Sequence, residues 1–171
     1  MNSNPRHRLS AIAVTVAALV TSTTACTFLA PGLSPPGTSI DQIRGAGRTP
    51  TGEYELPGGG RRLEFAQGSF GRETYMMDFD ASGKLVKSEQ VLDENHFGNI
   101  EPGMSSQDVR MRLGRPARVF TVGWQKLQVW NYRYVGGDCV WFQVSIDDGD
   151  GRVTETGTGY DPACDGPNMR D

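Results

Sequence analysis

Histidine and cysteine are nearly missing from this chain, with 2 and 3 in 171 residues. Metal sites and imidazole or thiol catalysis draw on those residue types. His7 lies in a segment read below as removable, so His96 alone would remain. It stands beside Phe97 with no serine or cysteine partner in a recognisable motif, and it reads as a surface or helix-cap residue. Phosphate and calcium loops are wanting too. "PGGGRR" from Pro57 is not followed by a Lys-Ser/Thr and a helix, and "DDGDG" from Asp147 lacks the alternating ligands and closing glutamate of a calcium loop. Both read as hairpin turns. No cofactor, no metal and no catalytic residue is expected, and the chain reads as a non-enzyme.

Positive charge is not in excess, and long apolar runs are confined to one place. That run, Leu9–Val20, is too short to span a membrane. It follows Arg6 and Arg8 and leads to small residues ending at Ala25, the pattern of an export signal covering residues 1–25. Thr23-Thr24-Ala25-Cys26 resembles a bacterial lipobox, which implies diacylation of Cys26 and, by likeness to Gram-negative lipoproteins, a place in the outer membrane. The alternative is an ordinary secretory signal with Cys26 incidental. Loss of Arg6 and Arg8 from 17 basic residues leaves 15 against 20 acidic ones, a net charge of −5 that disfavours nucleic acid as a partner. Residues 26–36, rich in Pro and Gly, read as a tether. Two cysteines remain, Cys139 and Cys164. In an oxidising compartment such a pair tends to close, with two free buried thiols as the alternative.

One phrase occurs twice. "PGTSIDQIRGAGRTP" begins at Pro36 and "PGMSSQDVRMRLGRP" at Pro102. Each specifies a short helix. Ser105 is a good N-cap, Asp108 completes a capping box, Met104 and Val109 form a hydrophobic staple, and Gly114 and Pro116 end the turn. Ser39, Gln42, Ile43 and Gly47 do the same in the earlier copy. The likeness continues at a constant offset of 67 residues, pairing Gly47 with Gly114, Leu63 with Trp130, Phe65 with Tyr132, and Tyr75, Met77 and Phe79 with Phe142, Val144 and Ile146. Alternation of that kind marks strands with one buried face. The expectation is therefore an α+β fold of two tandem modules, residues 37–92 and 93–161, followed by a tail at 162–171. Each is a short helix or helix pair packed on a three- to four-stranded antiparallel meander.

The run Phe97-x-x-Ile100-x-x-Gly103-Met104-Ser105-x-x-x-Val109-x-x-x-Leu113-Gly114-x-Pro116, followed by "VWNYRY" and a strand ending in "DDGDG", resembles the SmpA/OmlA (BamE-like) domain of outer-membrane lipoproteins. The likeness covers about residues 93–157 well and the first module more loosely. It implies a lipid-anchored protein on the periplasmic face of the outer membrane. Its partners would be envelope proteins such as the β-barrel assembly machinery, and its role would lie in assembly or envelope integrity. Secreted β-lactamase inhibitor proteins share the tandem fold, so the alternative implied is a binding or inhibitor module acting on an envelope enzyme.

Partner contact is sought in two groups of residues. Arg110, Arg112, Arg115 and Arg118 crowd around the second helix, either as a basic edge for an acidic surface or as a solvated face favoured by the helix dipole. Among the tryptophans, Trp130 matches a core position in the other copy. Trp141 points opposite to Phe142 and is the candidate for an exposed contact surface, with Trp124 beside it.

Overall fold

The structure, a computed structural model, describes residues 31–67 and 71–164. The expected signal segment, Cys26, the first part of the expected tether (residues 26–30) and most of the C-terminal tail lie outside the described residues. The chain is α+β, with two four-stranded antiparallel sheets and few helices. Helix α1 (Ile40–Gly45) precedes β1 (Gly52–Glu55), β2 (Arg61–Gln67), β3 (Glu73–Phe79) and β4 (Leu85–Gln90), which form the first sheet in sequential order. Helices α2 (Glu94–Phe97) and α3 (Ser106–Leu113) precede β5 (Arg118–Val122), β6 (Leu127–Tyr132), β7 (Val140–Asp147) and β8 (Val153–Tyr160), the second sheet in the same order.

Both capping boxes are formed. The Ser39 hydroxyl accepts the Gln42 N–H at 3.2 Å while the Gln42 amide oxygen accepts the Ser39 N–H at 2.8 Å. The Ser105 hydroxyl accepts the Asp108 N–H at 3.1 Å, and the Asp108 carboxylate accepts both the Ser105 N–H and its hydroxyl. The bond from the Ser105 hydroxyl is the main reason that this carboxyl sits below its ordinary range. Each cap serine also bridges to the base of the last hairpin of its half, Ser39 to Lys84 and Ser105 to Arg152. A helix too short to hold itself in water is thus fixed to the sheet it covers.

Alternation along the strands sorts the side chains into layers. Leu63, Phe65, Met77, Phe79 and Leu85 bury one face of the first sheet with Ile43 of α1. Trp130, Tyr132, Phe142, Val144 and Ile146 bury one face of the second sheet with Val109 and Leu113 of α3. The first sheet is covered on its other face as well. Met76, Val91 and Leu92 belong to the second cluster, not the first, with Tyr54 packed against it. Helix α3 therefore lies between the back of the first sheet and the inner face of the second.

Polar side chains on that back face are matched to the helix. Arg62 grips Asp78 through two bonds of 2.6 and 2.8 Å and donates a third, 2.6 Å, to the Met111 carbonyl. The Glu64 carboxylate is fully buried and accepts three bonds, from the Thr51 hydroxyl at 2.8 Å, the Tyr54 hydroxyl at 2.7 Å and the Arg115 backbone N–H at 3.2 Å. Burial, and then the bond to Glu64, pushes the Tyr54 phenol above its ordinary value. Gly114, expected to be left-handed, has φ 78° and ψ −161°. That is an extended form of positive φ open only to glycine, and it turns the chain sharply from α3 toward β5.

Candidate interaction surface

The inner face of the second sheet is closed by α3, so its accessible surface is the opposite face and the β5 edge. Register assigns Arg118, Phe120 and Val122 of β5, Val129 and Asn131 of β6, and Trp141, Gln143 and Ser145 of β7 to that outer face. The four arginines divide. Arg110 is half-buried, its guanidinium 4.7 Å from the centre of the Trp130 ring, and so acts as a lid on the core. Arg112 reaches the Asn99 carbonyl at 3.3 Å, Arg115 gives its backbone N–H to Glu64, and Arg118 lies 4.7 Å over the Phe120 ring. Arg112, Arg115 and Arg118 are exposed.

Trp141 requires a correction. It points away from Phe142, as alternation requires, yet it is 0% exposed. Its ring is covered by the Arg133 guanidinium at 4.7 Å and packs against Phe120 at 6.0 Å with the planes 21° apart. Arg133 is held by two bonds to Asp161 of 2.5 and 3.0 Å. Beneath lie Asn131, wholly buried, and Gln143, whose amide donates to it at 2.7 Å. The outer face is thus tiled by a row of stacked groups, Arg133, Trp141, Phe120 and Arg118. Among the described residues, the Trp141 indole nitrogen is the buried side-chain donor that lacks a partner.

What remains in view is the margin. Trp124, in the 3-10 turn Gly123–Gln125 between β5 and β6, is 84% exposed, with Val119 at 43% and Phe120 at 37%. Val119 and Phe120 escaped the reading of the sequence. A signal was available, since β5 carries no acid where β1 carries two: the strand pairings set Val119 at the place of Glu53 and Thr121 at that of Glu55, with Phe120 at that of Tyr54.

No protein-family model, curated protein or solved structure matches the chain. The chemistry of the margin therefore has to be read from its own residues. Among the described residues, no group of three His, Cys, Asp or Glu side chains stands close enough to hold a metal. His96 lies within α2, half-buried, with its Nδ1 2.8 Å from the N-cap residue Asp93 and its Nε2 3.6 Å from Glu89, so it is a partner of the cap and not the cap itself.

Cys139 and Cys164 are joined as a disulfide, with Cα atoms 5.6 Å apart and a sequence separation of 25. The bridge ties the turn after β8 to the start of β7, beside the Arg133–Asp161 pair, while the Asp161 N–H donates to the Cys139 carbonyl at 2.8 Å. By loop entropy it is worth about 3 kcal/mol. Cys139→Ser should lower stability by that amount in urea unfolding. It should also loosen the clasp over Trp141, seen as a red shift of tryptophan emission before global unfolding. An unchanged midpoint would show that the bridge does not stabilise the fold.

Proposed function

We propose that this chain is an exported lipoprotein, anchored through Cys26 to the periplasmic face of the outer membrane and built from two tandem SmpA/OmlA-like modules, that acts by protein contact in envelope assembly or integrity. Equivalent registers support the duplication. Leu63 opposes Met77 and Phe65 opposes Tyr75 in the first sheet, and Trp130 opposes Val144 and Tyr132 opposes Phe142 in the second, each at the offset of 67. The two capped helices and their serine bridges repeat in the same way.

The observation that carries the contact reading is the β5 margin, where exposed Phe120 stands next to Arg118 and is backed by the buried Trp141 stack, with exposed Val119 on the other face of the strand and exposed Trp124 in the turn that follows. Exposed aromatic and arginine side chains on a rigid support are the usual anchors of protein interfaces.

The test uses the full chain with a photo-crosslinking residue at Trp124, with and without Cys26→Ser. The unmodified anchor should place the protein in the membrane fraction and Cys26→Ser should free it into the soluble periplasm. Light should attach an envelope protein, a second copy of this chain included, at Trp124 but not at Lys87. A Cys26→Ser protein that stayed with the membrane would refute the anchor, and equal attachment at both positions would refute the contact surface.

A further inference from the structure

Each sheet of this fold ends in two edge strands, and an open edge is a template for pairing with another chain. Three of the four are blunted. β1 carries Glu53 and Glu55, the former paired with Arg44 at 2.6 Å. β4 is engaged at its start by the preceding segment, where Gly37 donates to the Leu85 carbonyl and Leu85 to the Thr38 carbonyl, both at 2.8 Å. β8 is mostly threonine and glycine, with Glu155 in its middle and apolar residues only at its ends, buried Val153 and exposed Tyr160, and its pairing with β7 shifts register between Ser145 and Ile146. β5 differs from all of them. Its pairing with β6 is regular, four of its five residues are exposed, and after Arg118 it holds only Val119, Phe120, Thr121 and Val122. Among the described residues nothing pairs with its outer edge.

We infer that the β5 edge is a homodimer interface, in which two copies of this chain join their second sheets through antiparallel β5 strands related by a two-fold axis at Phe120. This deepens the contact reading above by naming the occupant of the margin. A two-fold interface must complement itself, and this strand does. With Phe120 opposite Phe120, Val119 meets Thr121 and Arg118 meets Val122, so the one charge on the strand faces an apolar side chain and never its own copy. The ends match as well. The basic end, Arg115 and Arg118, is brought beside the aromatic end of the mate, where Trp124 projects. An indole that is 84% exposed thereby gains a guanidinium partner. An acidic strand such as β1, with Glu53 and Glu55 at the places of Val119 and Thr121, would bring Glu53 opposite Glu55 in the same arrangement about Tyr54.

The strand is only five residues long, so the contact is smaller than a standard interface and the dimer is weak in solution, with a Kd on the order of 10 µM. Confinement on a membrane surface raises the effective concentration enough to populate it.

The experiment introduces single cysteines into the full-length chain in cells and examines isolated membranes by non-reducing electrophoresis. Directly opposed residues in such a pair lie about 5 Å apart, so Phe120→Cys should yield a disulfide-linked band of twice the mass. Arg118→Cys and Val122→Cys should each stay monomeric alone and crosslink when co-expressed. Thr156→Cys on β8 should not crosslink. Each variant is first checked for an unchanged urea midpoint.

Absence of the Phe120→Cys dimer, or equal crosslinking from Arg118→Cys or Thr156→Cys, would overturn the proposal. A Phe120→Cys adduct with a different protein would overturn it too, while leaving the interaction reading in place. Sedimentation of the detergent-solubilised protein gives a second readout. Phe120→Glu should weaken association at least tenfold, and a wild-type protein that remains monomeric at about 100 µM, ten times the expected Kd, would also refute it.

Discussion

Glu64→Ala is expected to lower the free energy of unfolding by about 4 kcal/mol, as measured by urea denaturation of the intact chain. The carboxylate has no contact with water, and its removal takes the acceptor from the half-buried Tyr54 hydroxyl and the Arg115 N–H and leaves the Thr51 hydroxyl only the backbone carbonyl of residue 64 at 3.2 Å. Each stranded donor costs about 1–3 kcal/mol, offset in part by relaxation or by entry of water. Glu64→Gln keeps the shape and one oxygen, and should cost about half as much. Because the donors come from β1, the strand's approach and the end of α3, the loss should also loosen the two sheets from each other. Hydrogen exchange should quicken at Arg115 and Tyr54 together. If Glu64→Ala were as stable as the wild type, the carboxylate would not be the linchpin of the junction.

Gly114→Ala should cost about 3 kcal/mol or more, while Gly47→Ala, at the equivalent place in the first half, should cost about 1 kcal/mol. Both glycines have positive φ, 78° and 76°. An added methyl at Gly47 meets nothing within 4 Å, whereas at Gly114 it comes to 2.9 Å from Glu64 Cδ and 3.0 Å from Thr74 Cγ2. The first cost is backbone strain alone. The second adds an overlap that can be relieved only by moving the buried carboxylate from its three donors. Thermal melts of the two variants separate these contributions, and equal losses would mean that the close approach of α3 to the first sheet is not tight.

The elements of this fold were legible because their signals are local. Ser39 and Ser105 announce helices, and period-2 alternation gives Leu63, Phe65, Met77, Trp130, Tyr132 and Val144 to cores. The junction was not legible. Arg62, Glu64 and Asp78 occupy the polar phase of strands whose apolar phase is buried, and that pattern ordinarily means one wet face. Here a helix more than 40 residues later in the chain dries that face, and nothing in the strand itself says so except the paired Met76-Met77, apolar in both phases.

Trp141 failed for a related reason. Alternation fixed the direction of its side chain, but exposure is decided by Arg133, just past the end of β6, and Phe120 on β5, two strands away, which no local pattern reports. The margin was half legible: Trp124 was singled out, and Val119 emerges once β5 is set against β1, where Glu53 holds the corresponding place.

The sandwiching of α3 between the sheets also sets an order in time. A chain is made from its N-terminus, so the first sheet arrives before the helix that will cover its back. During that interval the face that will be interior is in water. A large apolar patch there would invite association with other unfinished chains. Arg62, Glu64 and Asp78 are soluble while they wait, and on arrival of α3 their hydrogen bonds with water are exchanged for bonds to Met111 and Arg115. The polar seam is then a face compatible with both stages of the protein's life, bare and covered.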